Sequence, residues 1–285
     1  MNFFEWFFLN KERAVDGMFS RAHLFTVTFI LVHLVAIALY LGFKYKNNPK
    51  AISTVLKVSA FIMIFLYIAE LTDGFVGQFV EKGLRLDSQE GWLKFLGSIV
   101  NCVPLYLCDI AIFAIPIIAF SKGKIKTVLS DFLAIWGIPM GVIGTYLAGN
   151  VFAVKPVFSF DGFLCIFIHV VPAAVTVFLY ATGLASLKRE NVWRVLVFFF
   201  GFSTFTLIYD YIFNGLFDTN FMFFFKGDGT PFDMFRPYVP LPVYQIIVFS
   251  LYAAYILAFY GVFFLIKNKI DKKKANKKFE LENQN

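Results

Sequence analysis

Apolar stretches of about 20 residues recur seven times along this chain of 285 residues. At 1.5 Å per residue, a helix of roughly 20 residues crosses the hydrocarbon core of a bilayer. Because hydrocarbon offers the backbone no hydrogen-bond partner, each stretch is predicted to be a transmembrane helix. The predicted spans are residues 22–43, 52–71, 95–120, 129–148, 163–187, 192–216 and 243–266. The sequence therefore predicts an all-α, polytopic transmembrane bundle of about seven spans.

Composition agrees with a membrane protein and defines three expected segments. Hydrophobic residues make up 59% of the chain and charged residues 16%, whereas soluble domains carry roughly 25% charged residues. Residues 1–21 are expected to form an interfacial segment, with Trp6 and several Phe at the membrane surface. Residues 22–266 form the predicted seven-helix domain. Residues 267–285 form a basic tail that is predicted to be disordered.

The distribution of Lys and Arg predicts the orientation of the bundle. These residues concentrate in the first, third and fifth predicted loops and in the tail after the last span. The positive-inside rule therefore predicts an external N-terminus and a cytoplasmic C-terminus, in a multi-pass protein of the cell membrane. The net charge of +7 follows from this topology, so we expect membrane lipids as partners and no specific nucleic acid.

Polar and ionisable side chains gather in the outer halves of the predicted spans. Such residues face the interior of a bundle or a water-filled cavity, because exposure to hydrocarbon is costly. The sequence predicts that they line one chamber that opens outward and binds a substrate. The candidates from helical spacing and depth are His23, His33, Glu70, Asn101, Cys108, Asp109, His169, Asp210 and Asn214.

Cys108 is the candidate nucleophile in this chamber. A thiol attacks as the thiolate, so it needs a nearby base such as a histidine, which an acid would orient. His169 and His33 both lie at compatible depth. Asp109 adjoins Cys108, so in a continuous helix it points about 100° away. It is therefore predicted to bond a neighbouring helix and to set the rotation of the third span. The cysteine spacings indicate no metal site or disulfide, and we expect no cofactor.

Three segments carry a resemblance to a known family. VPLYLCDIA, residues 103–111, resembles the "LPLHLC" signature of the YwaF-like family of bacterial integral membrane proteins. GMFSRAHLFTV, residues 17–27, resembles the entry of that family into its first helix. The segment that begins NGLFDTNFMFFFKGDG, from Asn214, resembles its loop before the last helix.

The resemblance implies an activity and a set of site residues. The YwaF-like family is similar to eukaryotic membrane acyltransferases that remodel phospholipids with a cysteine in a comparable motif. That similarity implies Cys108 as nucleophile and marks the family-pattern positions His23, Asn214 and Asn220. By analogy, His169 is the base, and Asp210 completes the predicted catalytic set.

This sequence departs from the family pattern at two positions. Tyr106 stands where the family has histidine, and Phe221 stands where it has tyrosine. Loss of that histidine either abolishes catalysis or shifts the acid–base work to another residue.

Three functions remain open at this point. The first is a thiol-dependent acyltransferase or lipid hydrolase that acts on phospholipids near the outer leaflet. The second is a transporter, or a substrate-binding membrane subunit, in which Glu70, Asp109 and Asp210 bind a small polar solute or carry protons. The third is a non-catalytic scaffold. The sequence favours the enzyme slightly and leaves the substrate and the oligomeric state open.

Overall fold

The computed structural model describes residues 7, 14–77, 79, 84–228 and 230–282. Every regular element in these ranges is helical. The helices are α1 (Arg21–Tyr45), α2 (Pro49–Val76), α3 (Gln89–Asn101), α4 (Ile110–Phe120), α5 (Gly123–Tyr146), α6 (Gly149–Phe152), α7 (Phe160–Thr182), α8 (Arg189–Phe217) and α9 (Leu241–Glu282). The interfacial helix predicted at the N-terminus falls almost wholly outside the described residues.

In the part of the chain that the structure describes, six helices are long and apolar enough to cross a membrane, which confirms a polytopic helical bundle. They are α1, α2, α5, α7, α8 and the part of α9 up to Lys273. These six coincide with six of the seven predicted spans. Three of these helices, α1, α2 and α7, have a side-chain N-cap. The capping side chain accepts a hydrogen bond from a backbone N–H of the first turn, and the caps are Ser20, Asn48 and Ser159.

The third predicted span is wrong as a continuous helix. Residues 95–120 are divided between α3 and α4, and residues 102–109 between them are not helical. Pro104 explains the break, since proline removes a backbone donor and disfavours helical geometry at the residue before it. The second half, α4, has 11 residues, about 16 Å of helix, and is too short to span a bilayer by itself.

The chain divides into two compact units. The first runs to Ser186 and takes in Phe205–Met222, whereas the second comprises Leu187–Thr204 and the chain from Phe223 onward. All candidate site residues belong to the first unit.

Helix α7 is the centre of the first unit. It packs against α1, α2 and α5, while α4 packs against α2 and α5. Small residues permit the close α5–α7 crossing: a Cβ atom added at Gly137 or Gly141 would overlap Thr176 or Ala173. Two glycines four residues apart on one helix face are typical of close helix packing in membranes.

The second unit is built on aromatic packing between the first part of α8 and α9. The rings of Phe199 and Tyr252 are 5.6 Å apart, and the Arg189 guanidinium lies 5.3 Å from the centre of the Phe264 ring. Helix α9 continues to Glu282, so the prediction of a disordered tail from residue 267 is wrong for the described residues. The tail is rich in Lys, a good helix former, and so extends a helix that is already nucleated.

Candidate intramembrane site

Cys108 lies in the non-helical segment between α3 and α4. Pro104 and Leu105 of this segment are buried, and its backbone turns through hydrogen bonds from Leu105 N to Val103 O and from Asp109 N to Tyr106 O. Non-helical backbone at membrane depth is tolerated only where protein buries it or where it lines a cavity. This break is therefore the candidate functional site of the first unit.

The Cys108 thiol donates a hydrogen bond to its neighbour Asp109. The Sγ–Oδ1 distance is 3.6 Å, and the other carboxylate oxygen accepts from the backbone N–H of Tyr106 at 3.3 Å. The prediction that Asp109 faces away from Cys108 is wrong, because it assumed a continuous helix. In the turn before α4, consecutive side chains can point to the same side.

Glu70 of α2 is a second carboxylate at this site. It interacts electrostatically with Cys102, Cys108 and Asp109, and it makes no hydrogen bond within the described residues. One turn earlier on α2, the Tyr67 hydroxyl donates to the Cys102 carbonyl at 3.1 Å. Tyr67 therefore ties α2 to the start of the break. Sequence reasoning missed Tyr67, since only the position of the break gives it a role.

His169 lies on α7, and the contacts seen for its side chain within the described residues are with Cys165 and Gly144, not with Cys108. Its Nδ1 donates to the Cys165 carbonyl at 2.7 Å, so Nε2 is the acceptor nitrogen, and it has no hydrogen-bond partner among the described residues. The ring packs directly on Gly144 of α5, where a side chain would occupy its place. Glu70 also interacts electrostatically with Cys165, one turn from His169, and so connects α7 to the thiol.

The other two histidines lie elsewhere. His23 is buried, with Nδ1 accepting from Phe19 N at 3.1 Å and Nε2 donating to Thr145 O at 3.0 Å. Both ring nitrogens are thus engaged in joining the start of α1 to the end of α5. His33 is exposed, and its Nδ1 is bonded to the Phe29 carbonyl of its own helix at 2.7 Å.

Asp210 lies on α8, in a second polar group. It is fully buried, and its carboxylate is adjacent to the backbone N–H of Phe221 and the hydroxyl of Thr219. Neither carboxylate oxygen has a hydrogen bond of good geometry within the described residues. The structure therefore does not bring Cys108, His169 and Asp210 together as one hydrogen-bonded triad.

The candidate asparagines hold the ends of helices. Asn101 donates to Gly97 O at 3.0 Å and to Phe217 O at 3.1 Å, which joins the end of α3 to the end of α8. Asn214 donates to Thr219 O at 2.5 Å and so folds the segment after α8 back onto it. Asn220 is buried in that same segment.

Tyr106 and Phe221 connect the two polar groups. Their rings are 4.9 Å apart and nearly perpendicular, a favourable geometry for aromatic pairs. The two positions at which the sequence departs from the YwaF-like pattern therefore contact each other. The sequence alone showed two unrelated differences.

These features define a multi-pass helical membrane protein with a polar site at a break between two of its helices. The chain belongs to the TMEM164 family, which it matches over residues 18–266. That range takes in every candidate site residue. No curated protein and no solved structure matches the chain. The comparisons do not confirm the resemblance to the YwaF-like family or to the acyltransferases.

A metal centre of the usual donor types is absent from the described part of the chain. No three His, Cys, Asp or Glu residues there are grouped to hold a metal ion. Cys102, Cys108 and Cys165 all carry free thiols. The groups at the break are two thiols, Cys102 and Cys108, and the two carboxylates of Glu70 and Asp109.

Proposed function

We propose that this protein is a thiol-dependent enzyme that transfers or hydrolyses the acyl chains of membrane lipids. The observation that supports it is the Cys108 thiol, hydrogen-bonded to Asp109 at a helix break within an apolar bundle. A thiol placed among lipid tails, beside a proton acceptor, is suited to attack an ester that enters laterally from the bilayer.

The reaction follows from these groups. Asp109 takes the thiol proton while the Cys108 sulfur attacks the ester carbonyl of the lipid. The carbon–oxygen bond of the ester breaks, and the leaving alcohol takes the proton from Asp109. The acyl chain is then held as a thioester on Cys108. A second lipid alcohol, or water, attacks this thioester to give the transferred or hydrolysed product.

His169 is the proposed base of the second half-reaction. Its acceptor Nε2 is available to take the proton of the incoming hydroxyl, while the bond from Nδ1 to Cys165 O fixes the ring. Asn101, Asn214 and His23 position helix ends in this scheme, and Asp210 plays no part in the chemistry.

Trapping the thioester tests this proposal. The purified protein is incubated in phospholipid nanodiscs, and its peptides are examined by mass spectrometry. We expect a hydroxylamine-sensitive acyl adduct on Cys108 and none in Cys108→Ser. Cys102→Ser is the matched control, since Cys102 flanks the same break and should leave the adduct intact. Acyl transfer by Cys108→Ser at the wild-type rate would contradict the proposal.

Transport of a small polar solute is the second candidate, supported by the acidic side chains Glu70, Asp109 and Asp210 in the first unit. Uptake into proteoliposomes distinguishes the two functions. A transporter would lose uptake on Asp210→Asn and keep it on Cys108→Ser. The enzyme would show the opposite sensitivity in the acyl-transfer assay.

A further inference from the structure

Four buried oxygen atoms without a hydrogen bond of good geometry lie on the second half of α8 and in the segment that follows it. They are Thr206 Oγ1, both carboxylate oxygens of Asp210, and Thr219 Oγ1. All three side chains are completely buried. Thr206 and Asp210 are four residues apart and share one face of α8, while Thr219 lies against the carboxylate. A single cluster thus holds four orphan oxygens.

Leaving such atoms without partners is costly. Buried polar groups in proteins are almost always hydrogen-bonded, and buried charges are paired or bind a cation. Among the described residues, the donors adjacent to the Asp210 carboxylate are the Phe221 N–H and the Thr219 hydroxyl, and no Lys, Arg or His forms a salt bridge with it. A ligand that accepts electron pairs from several oxygens would satisfy the cluster.

The chemistry of the cluster selects a hard monovalent cation. Its donors are all oxygen, which excludes metals that prefer nitrogen or sulfur. It carries one carboxylate, so one positive charge balances it, and divalent sites usually collect more acidic ligands.

The backbone beside the cluster also favours a cation. Helix α8 ends at Phe217, and its carboxyl end carries partial negative charge. The chain after it departs from α-helical geometry, with Asp218 at φ 52° and Met222 at φ 54°. Unwound backbone next to a helix carboxyl end is a setting that binds Na⁺ in membrane proteins.

We propose that Thr206, Asp210 and Thr219 form an intramembrane Na⁺ site. The bound ion draws the segment after α8 onto the helix. Phe221 of that segment contacts the ring of Tyr106, and the Tyr106 amide donates a hydrogen bond to Asp109. Binding of Na⁺ would therefore also stabilise the conformation of the break between α3 and α4. The site itself is independent of the proposed acyl chemistry.

Thermal unfolding of the protein in nanodiscs tests the proposal. Na⁺ is titrated against choline at constant ionic strength and pH, so that general salt effects cancel. We expect the unfolding midpoint to rise with Na⁺ concentration and to saturate, since a ligand that binds only the folded state stabilises it. Asp210→Asn should abolish the rise. Glu70→Gln, which removes a carboxylate of the other polar group, should retain it.

A second pair of variants covers the event that Asp210→Asn does not fold. Thr219→Val keeps the side-chain shape and removes the hydroxyl, so the Na⁺ concentration at half effect should increase about tenfold or more. Thr219→Ser keeps a hydroxyl and should retain the Na⁺ concentration at half effect of the wild-type protein. A midpoint in wild-type protein that is the same in Na⁺ and in choline would overturn the proposal. A Na⁺ response unchanged in Asp210→Asn, or in Thr219→Val, would overturn it as well.

Discussion

At the scale of single residues, Asp109 shows how local backbone geometry decides a chemical role. Helical periodicity predicted that this carboxylate points away from Cys108. In the turn before α4, however, Cys108 Sγ and Asp109 Oδ1 are 3.6 Å apart. Two histidines illustrate the same limit of sequence reasoning. The predicted depth in the membrane made both His33 and His169 candidates for the base. His33 is on the exposed face of α1, whereas His169 packs on Gly144, and only tertiary structure separates them.

Asp109→Asn is expected to slow formation of the thioester on Cys108 by about 100-fold or more, as for removal of a general base. The fold should persist because the amide oxygen can still accept from Tyr106 N. The rate is measured by mass spectrometry of the adduct over time. Glu90→Gln is the control, because Glu90 pairs with Lys94 on the exposed face of α3. A wild-type rate in Asp109→Asn would remove this carboxylate from the mechanism.

His169→Gln should separate the two half-reactions. We expect the thioester to form and then to accumulate, because the base for the incoming hydroxyl is lost. His33→Gln, a change of the same type on the exposed face of α1, should leave both steps unchanged. Rapid turnover of the adduct in His169→Gln would show that another group performs the second step.

At the scale of elements, the apolar pattern predicted six helices correctly and failed at the third span. Hydropathy counts apolar residues and does not register whether the backbone through them is helical. Pro104 was visible, but prolines at 116, 139 and 172 lie inside α4, α5 and α7 without ending them. Asp109 and Tyr67 satisfy backbone groups of the break, and Tyr67 does so from another helix, 35 residues away in sequence.

The α5–α7 crossing gives a prediction at this scale. Gly141→Leu would force a side chain against Ala173 and the His169 carbonyl, so we expect a loss of about 1–3 kcal/mol or more in unfolding free energy. Thermal unfolding in detergent measures it. Gly201→Leu is the control, because a Cβ atom there meets nothing within 4 Å. Equal stability of the two variants would mean that the crossing is not close.

At the scale of the whole molecule, the charge pattern predicts one orientation in the membrane. A C-terminal green fluorescent protein fusion should be fluorescent, and a C-terminal alkaline phosphatase fusion should be inactive, since the former folds in the cytoplasm and the latter outside it. The reverse result would invert the predicted topology. It would also move the break at Cys108 to the cytoplasmic half of the bilayer, and with it the leaflet from which a lipid substrate is drawn.

The divided third span also bears on how the protein is made. Neither α3 nor α4 is long enough to enter the bilayer as a stable independent span, and the peptide groups between them cannot rest against lipid. We therefore expect α3 and α4 to enter the bilayer together with α2. Helix α4 packs on α2, which shields the stretch from lipid. Because α2 precedes α3 and α4 in the chain, the ribosome makes α2 first, and α2 can be in the membrane before the broken segment arrives.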